Sequence, residues 1–267
     1  MTAGGGLLVS CIHTQVAGLD AEQAPKALLL HGIGGSAASF EAQFEAFGAV
    51  RRVLAWDAPG YGASADPEAA PGLAGFAAAA AGLLQGGAPA DVVGVSWGGV
   101  IATRLALAYP ELVRSLVLAD STRGSGRTPA GRAGMARRSA ALSAEGAGAF
   151  AAERGPNLLS KGANPALVAR VVANMAASVR QPGYGFATSS MAETDHSAVL
   201  AGLLVPTLVL VGEQDTVTGV AESRALAEAI AGARLCVIPG AGHAANQERP
   251  AEFNRAVLEF WAEAAPC

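Results

Sequence analysis

Six short, nearly uninterrupted apolar runs punctuate this chain, with longer helical stretches between most of them. The runs are Ala27–Leu30, Val53–Trp56, Asp91–Val95, Ser115–Leu118, Thr207–Val211 and Leu235–Ile238. A run of this length that is apolar at almost every position, instead of at alternate ones, reads as a strand covered on both faces. Helix candidates separate them at Ala74–Leu84, Gly98–Ala108, Val220–Ile230 and Ala251–Ala262. Pro110 closes the second helix after Tyr109, because proline disfavours helical geometry in the residue before it. Strand–helix alternation of this kind predicts an α/β fold, a mostly parallel twisted sheet flanked by helices.

One segment breaks the alternation. Residues 121–198 contain no convincing strand, only turns and the helical stretches Met135–Leu142, Glu145–Glu153 and Pro165–Ala177. Asn164-Pro165 supplies a cap followed by a first-turn proline. The segment is expected to be a helical cap over the carboxyl edge of the sheet, inserted into a core formed by residues 1–120 and 199–267.

Composition narrows the setting. Hydrophobic residues make up 51% of the 267, charged residues 15%, and the net charge is −4. The positive mean hydropathy of +0.35 comes largely from alanine; the most apolar stretch, around Gly72–Leu84, falls short of the roughly 20 residues needed to span a bilayer. Dispersed lysines and arginines on an acidic chain leave no nucleic-acid footprint. The densest basic cluster, Arg132, Arg137 and Arg138, reads first as a solvated helix face. Met1–Gly6 has no basic segment ahead of an apolar run, which argues against a secretory signal. Cys11, Cys236 and Cys267 have neither paired nor metal-type spacing, and fit a reduced cytoplasmic chain. No metal site is expected.

Chemistry concentrates at strand ends. Gly94-Val95-Ser96-Trp97-Gly98 matches G-x-S-x-G, a pattern that is cheap in a chain with 34 glycines. Its context makes it specific: Ser96 directly follows an apolar strand and directly precedes a helix, where a strained turn projects the hydroxyl beside a helix N-terminus. A serine needs a base to remove its proton, and the base needs an acid to orient it. Of the four histidines, His243 lies in a glycine-rich turn after the last strand. His13 reads as structural, in an N-terminal strand, and His196 as a candidate substrate contact. Asp215, after the strand Thr207–Val211, is the candidate acid, with Glu213 and the strand-end Asp120 as rivals. The order Ser96, Asp215, His243 is the chain order for a hydrolase of this topology. His31-Gly32-Ile33-Gly34-Gly35-Ser36 follows another strand, so the backbone N–H groups of Ile33 and Trp97 are the candidate oxyanion donors. No phosphate-binding motif accompanies that glycine-rich turn.

These residues together resemble the α/β-hydrolase fold superfamily across nearly the whole chain. The resemblance rests on His31-Gly32, the Asp57–Ser64 loop, the serine turn, Gly212–Asp215 and Gly240–His243. It implies that Asp57–Ser64 is structural and that the helical insertion shapes a substrate pocket. Within the superfamily, Gly183–Phe186, Thr194–His196 and Gly242–Pro250 are most similar to 3-oxoadipate enol-lactonases and related esterases. Those lactonases tend to carry W-x-x-R-I in the cap; Met135–Ser139 resembles that stretch and keeps its arginine as Arg138. A guanidinium there suits a substrate carboxylate, and Gly32 joins Arg138 and His196 as a candidate substrate contact.

The expected activity is serine-dependent cleavage of a small carboxylic ester or lactone, without cofactor, acting on a small-molecule substrate. Carbon–carbon bond hydrolases of ring-cleavage products are the enzyme alternative; they usually carry proline and asparagine where Gly35 and Val95 stand. A ligand sensor that retains a triad is the non-enzymatic alternative. Nothing in the sequence sets the oligomeric state.

Overall fold

The computed structural model describes residues 12–19 and 24–264. Within them lie seven strands: β1 (Thr14–Gly18), β2 (Lys26–Leu30), β3 (Arg52–Trp56), β4 (Ala90–Val95), β5 (Val113–Ala119), β6 (Thr207–Gly212) and β7 (Arg234–Ile238). They form one sheet in the order β1-β3-β2-β4-β5-β6-β7, in which only β1 runs antiparallel to its neighbour. The six apolar runs are β2 to β7. Five of them lie inside the sheet, but Leu235–Ile238 does not have the two covered faces expected of it, because β7 is an edge strand with Arg234 and Val237 exposed. The remaining strand, β1, is the opposite, half-exposed edge, and Thr14–Gly18 carries no apolar run to betray it. His13 stands just outside it.

Among the described residues, eight helices longer than one turn complete the layers: α1 (Glu41–Gly48), α2 (Gly72–Leu84), α3 (Trp97–Ala108), α4 (Pro129–Arg154), α5 (Pro165–Ser178), α6 (Gly183–Ala192), α7 (Gly219–Ala229) and α8 (Pro250–Glu263), with a single turn at Ala245–Glu248 ahead of the last. Alternate residues of each strand serve opposite faces. On one face, Leu28 and Leu30 belong to a core that also holds Phe76 of α2, Trp97 and Ile101 of α3 and Leu226 of α7. On the other, Ala27 and Leu29 belong to a core that also holds Phe47 of α1 and Phe253 and Trp261 of α8.

The amino edge of the sheet is tied by a buried carboxylate. Asp91, the second residue of β4, accepts from Arg51 Nε (2.7 Å), Arg114 Nε (2.9 Å) and Ser115 Oγ (2.6 Å). Arg51 also lies over the Trp261 ring, 5.0 Å from its centroid.

Helices α4 to α6 all fall between β5 and β6. Thr128 caps α4 through the Gly131 N–H, and Asn164 caps α5 through the Ala166 N–H ahead of Pro165. Gly146, at φ 77° and ψ 164°, breaks α4 just inside the expected helical stretch Glu145–Glu153, not in the gap after Leu142. This segment meets the carboxyl edge of the sheet: Ser36 Oγ donates to Asn174 Oδ1 (2.6 Å), Ala244 N–H to the Leu158 carbonyl (2.8 Å), and Trp97 Nε1–H to Ser190 Oγ (3.0 Å). Helices α1 and α6 carry weak sequence signals. The first is short, and the second, Gly-Tyr-Gly-Phe-Ala-Thr-Ser-Ser-Met-Ala, is rich in poor helix formers and depends on packing.

No helix among the described residues is long and apolar enough to cross a membrane. Met1–Gly6, Cys11 and Cys267 lie outside the described residues. Cys236 is a free, half-buried thiol on β7.

Candidate active site

The strand order reverses between β2 and β4, and the loops leaving those neighbouring strands open a crevice at their carboxyl ends, where α/β sheets bind ligands. Ser96 is the first residue beyond β4. Its φ of 54° and ψ of −116° put it in a region that side chains rarely adopt. Four hydrogen bonds hold it there. Its N–H donates to the Ala119 carbonyl (2.8 Å), and its carbonyl accepts from Gly99 N–H (3.0 Å), Val100 N–H (3.3 Å) and Ser121 Oγ (2.9 Å). The flanking glycines are steric necessities, since a Cβ on Gly98 would sit 2.0 Å from the Leu30 carbonyl oxygen and one on Gly94 2.3 Å from that of Gly98.

His243 Nε2 lies 3.0 Å from Ser96 Oγ, and its Nδ1 lies 3.0 Å from Asp215 Oδ2. The carboxylate assigns the tautomer: Nδ1–H donates to Asp215, leaving Nε2 to accept from the serine hydroxyl. Asp215 is further anchored by Val217 N–H on Oδ1 (2.7 Å) and Thr218 Oγ1 on Oδ2 (2.5 Å). Burial alone would raise its pKa, but the hydrogen bonds from His243, Thr218 and Val217 outweigh it and hold the carboxyl well below the usual range. The rival acids point elsewhere. Glu213 accepts from Gly240 N–H at the surface, and Asp120 accepts from the Gly212 and Ala245 N–H groups.

His31 fixes the loop facing Ser96. Its Nδ1–H donates to the Gly32 carbonyl (2.8 Å) and its Nε2 accepts from Ala58 N–H (3.0 Å), an arrangement open only to the neutral ring. Burial lowers its pKa against the opposing pull of Gly32 and Asp57. Among the described residues, neither the Ile33 nor the Trp97 backbone N–H donates to a protein acceptor. Gly32 lies against the serine turn, its Cβ position 3.1 Å from Ser96 Cβ. Asp57 organises the following loop, accepting from Ala37 N–H (2.8 Å) and Ala63 N–H (2.9 Å) and pairing with His13 (2.9 Å).

Two cavities meet at Ser96. The smaller, about 50 Å³, runs past Ile33, Leu158, Val171, Met175 and His243. The larger, about 230 Å³, is lined by Met135, Arg138, Met191, Thr218 and Glu222. Glu222 is saturated by Arg123 and Arg127 and held down to about 2; burial opposes that shift, and the Arg123 hydrogen bonds overcome it. Arg138 has no carboxylate within ion-pair distance among the described residues. It makes a weak hydrogen bond to Met135 Sδ (3.9 Å), and burial, with Arg154 nearby, pushes its pKa down to about 10. His196 is not brought to the site. It is buried, lines neither cavity, and burial with the Arg104 charge lowers its pKa to about 4.

Sequence reasoning missed Thr218 and the methionines. Thr218 follows the acid by three residues, a spacing at which an aspartate bonds its own turn. Met135, Met175 and Met191 come from three different helices and share no local pattern that could mark them.

A model of the alpha/beta hydrolase family matches residues 27–256. The pimeloyl-[acyl-carrier protein] methyl ester esterase of Chromobacterium violaceum is 31% identical over 245 residues, covering 89% of this chain and 94% of that protein. The 3-oxoadipate enol-lactonase 2 of Acinetobacter baylyi is 26% identical over 238 residues, 87% of each chain. Among solved structures, a thermophilic esterase from Thermogutta terrifontis superposes with a TM-score of 0.85 at 25% identity, over 96% of this chain and 94% of that one. With the fold, the strained serine turn and these likenesses in agreement, the chain belongs to the alpha/beta hydrolase family.

Proposed function

We propose that this protein is a serine hydrolase that cleaves a small carboxylic ester or lactone through an acyl-enzyme on Ser96. The observation that carries the reading is the continuous relay from Ser96 Oγ through His243 to Asp215, with two unengaged backbone donors beside the hydroxyl. Relatives named as a methyl ester esterase and an enol-lactonase support it.

In the proposed reaction Ser96 Oγ attacks the substrate carbonyl carbon while His243 Nε2 takes the hydroxyl proton. Asp215 holds the ring and stabilises the imidazolium. The carbonyl oxygen becomes an oxyanion that accepts from the Ile33 and Trp97 N–H groups. Collapse breaks the bond to the alcohol oxygen, which takes the proton from His243. Water then attacks the acyl-enzyme with the same base, releasing the acid and restoring Ser96. No step requires a metal or organic cofactor.

Residues 121–198 act in this reading as a helical cap over the core of residues 1–120 and 199–267, and Arg138 binds an anionic end of the substrate. A guanidinium without a protein carboxylate, in a cavity shared with Ser96, favours an apolar chain ending in a carboxylate, its length lying along Met135 and Met191. The free thiol of Cys236 is consistent with a reducing, cytoplasmic setting. The test compares matched esters with and without a distal carboxylate. Arg138→Met is expected to lower kcat/KM for the anionic ester by about 10- to 100-fold, the worth of one charged hydrogen bond. The neutral ester should change by less than about threefold. Equal losses for both would remove Arg138 from substrate recognition.

A further inference from the structure

Among the described residues only two that are not glycine have positive φ: Ser96, at 54°, and Asp120, at 47°. The serine turn accounts for the first. The second directly follows β5, the strand beside β4, and is completely buried. A strained backbone and a buried acid at one position are two costs, and the contacts of Asp120 give them a common purpose.

We propose that Asp120 is a positioning residue that holds the acid and base loops in register with the nucleophile strand, resting on the reading of Ser96, His243 and Asp215 as a triad. Its N–H donates to the Leu210 carbonyl of β6 (2.7 Å), while the preceding residue, Ala119, receives the Ser96 N–H (2.8 Å). Its Oδ1 accepts from Gly212 N–H (2.8 Å), three residues before Asp215, and its Oδ2 from Ala245 N–H (3.2 Å), two residues after His243. The Thr218 hydroxyl, 2.5 Å from Asp215 Oδ2, also lies 3.2 Å from the Asp120 carbonyl oxygen. Asp120 therefore ties together the segments that carry Asp215 and His243, while the residue before it, Ala119, holds the Ser96 turn.

The side chain has to be a carboxyl group because both of its oxygens face N–H donors. An amide offers one acceptor and turns its NH2 toward the other donor; an apolar residue leaves both N–H groups unpaired in the core. Burial and the neighbouring Asp215 charge push the Asp120 carboxyl up, and the two N–H bonds oppose them. The strained φ is what aims the group along the carboxyl edge, across β6 toward the loop beyond β7. Small losses of alignment at a reacting centre reduce turnover while leaving substrate binding nearly intact.

The test uses the full-length protein, Asp120→Asn, Asp120→Ala and Ser96→Ala. Competent sites are counted by end-point labelling with a fluorophosphonate, and kcat and KM are then measured on a chromogenic ester. Asp120→Asn is expected to lower kcat per labelled site by about 10- to 100-fold, with KM within threefold of wild type. Asp120→Ala should lose at least as much; if it fails to fold, the asparagine variant decides alone. A kcat per labelled site within twofold of wild type, with losses confined to thermal stability or to the number of labelled sites, would overturn the positioning role. So would a change in KM alone. Full turnover by Ser96→Ala would instead overturn the triad reading.

Discussion

Alanine at position 96 will lower kcat/KM toward any ester the protein hydrolyses by on the order of 10⁴-fold or more. The side chain lost is a single oxygen, so the effect belongs to chemistry and not to folding. The four bonds that hold the strained turn use the backbone of Ser96, so they survive the substitution. Circular dichroism and the thermal midpoint should therefore match wild type. Replacing His243 with alanine should cost about as much, and the double variant little more than either alone, because the two groups act as a unit. Turnover that persists in Ser96→Ala at a comparable rate would locate the reacting group elsewhere.

The largest loss of stability is expected at the opposite edge of the sheet. Asp91 is buried and receives two arginines and a serine hydroxyl. Asp91→Ala leaves Arg51 and Arg114 partly buried without their counter-ion, and should cost about 3–5 kcal/mol in urea unfolding. Position 91 is the second residue of β4 and Ser96 follows its other end, about 16 Å away along the strand. Activity per folded molecule should consequently be unchanged. A cost below about 1 kcal/mol would place Asp91 among the ion pairs that contribute nothing measurable.

The two sites differ in how visible they are in the sequence. Strands β2 to β6, inside the sheet, were legible because cover on both faces demands apolar residues at consecutive positions; of the two edge strands, β7 keeps an apolar run although it is partly exposed, and β1 keeps none. The Asn164-Pro165 cap was legible because helix starts have their own chemistry, whereas the break at Gly146 falls inside a stretch whose pattern reads as continuous helix. The serine turn was marked by glycines that the close approach of Leu30 requires. Choosing among Asp215, Glu213 and Asp120 was a different matter. All three follow strands, and only the turn built by Val217 and Thr218 aims Asp215 at His243. Arg138, by its likeness to a cap arginine of the lactonases, and His196, by its place in the insertion, were both candidate substrate contacts. Three-dimensional packing separates them, bringing Arg138 to the cavity at Ser96 and burying His196 away from it. Pairings across many residues leave no local pattern for a sequence to carry.

The account turns on Ser96 being an activated nucleophile, and a fluorophosphonate tests that without knowledge of the substrate. Intact-mass and peptide mass spectrometry after labelling should find one adduct per chain, on Ser96. It should be absent from Ser96→Ala and form far more slowly in His243→Ala. An adduct on another residue, or labelling of Ser96→Ala at the wild-type rate, would contradict the account.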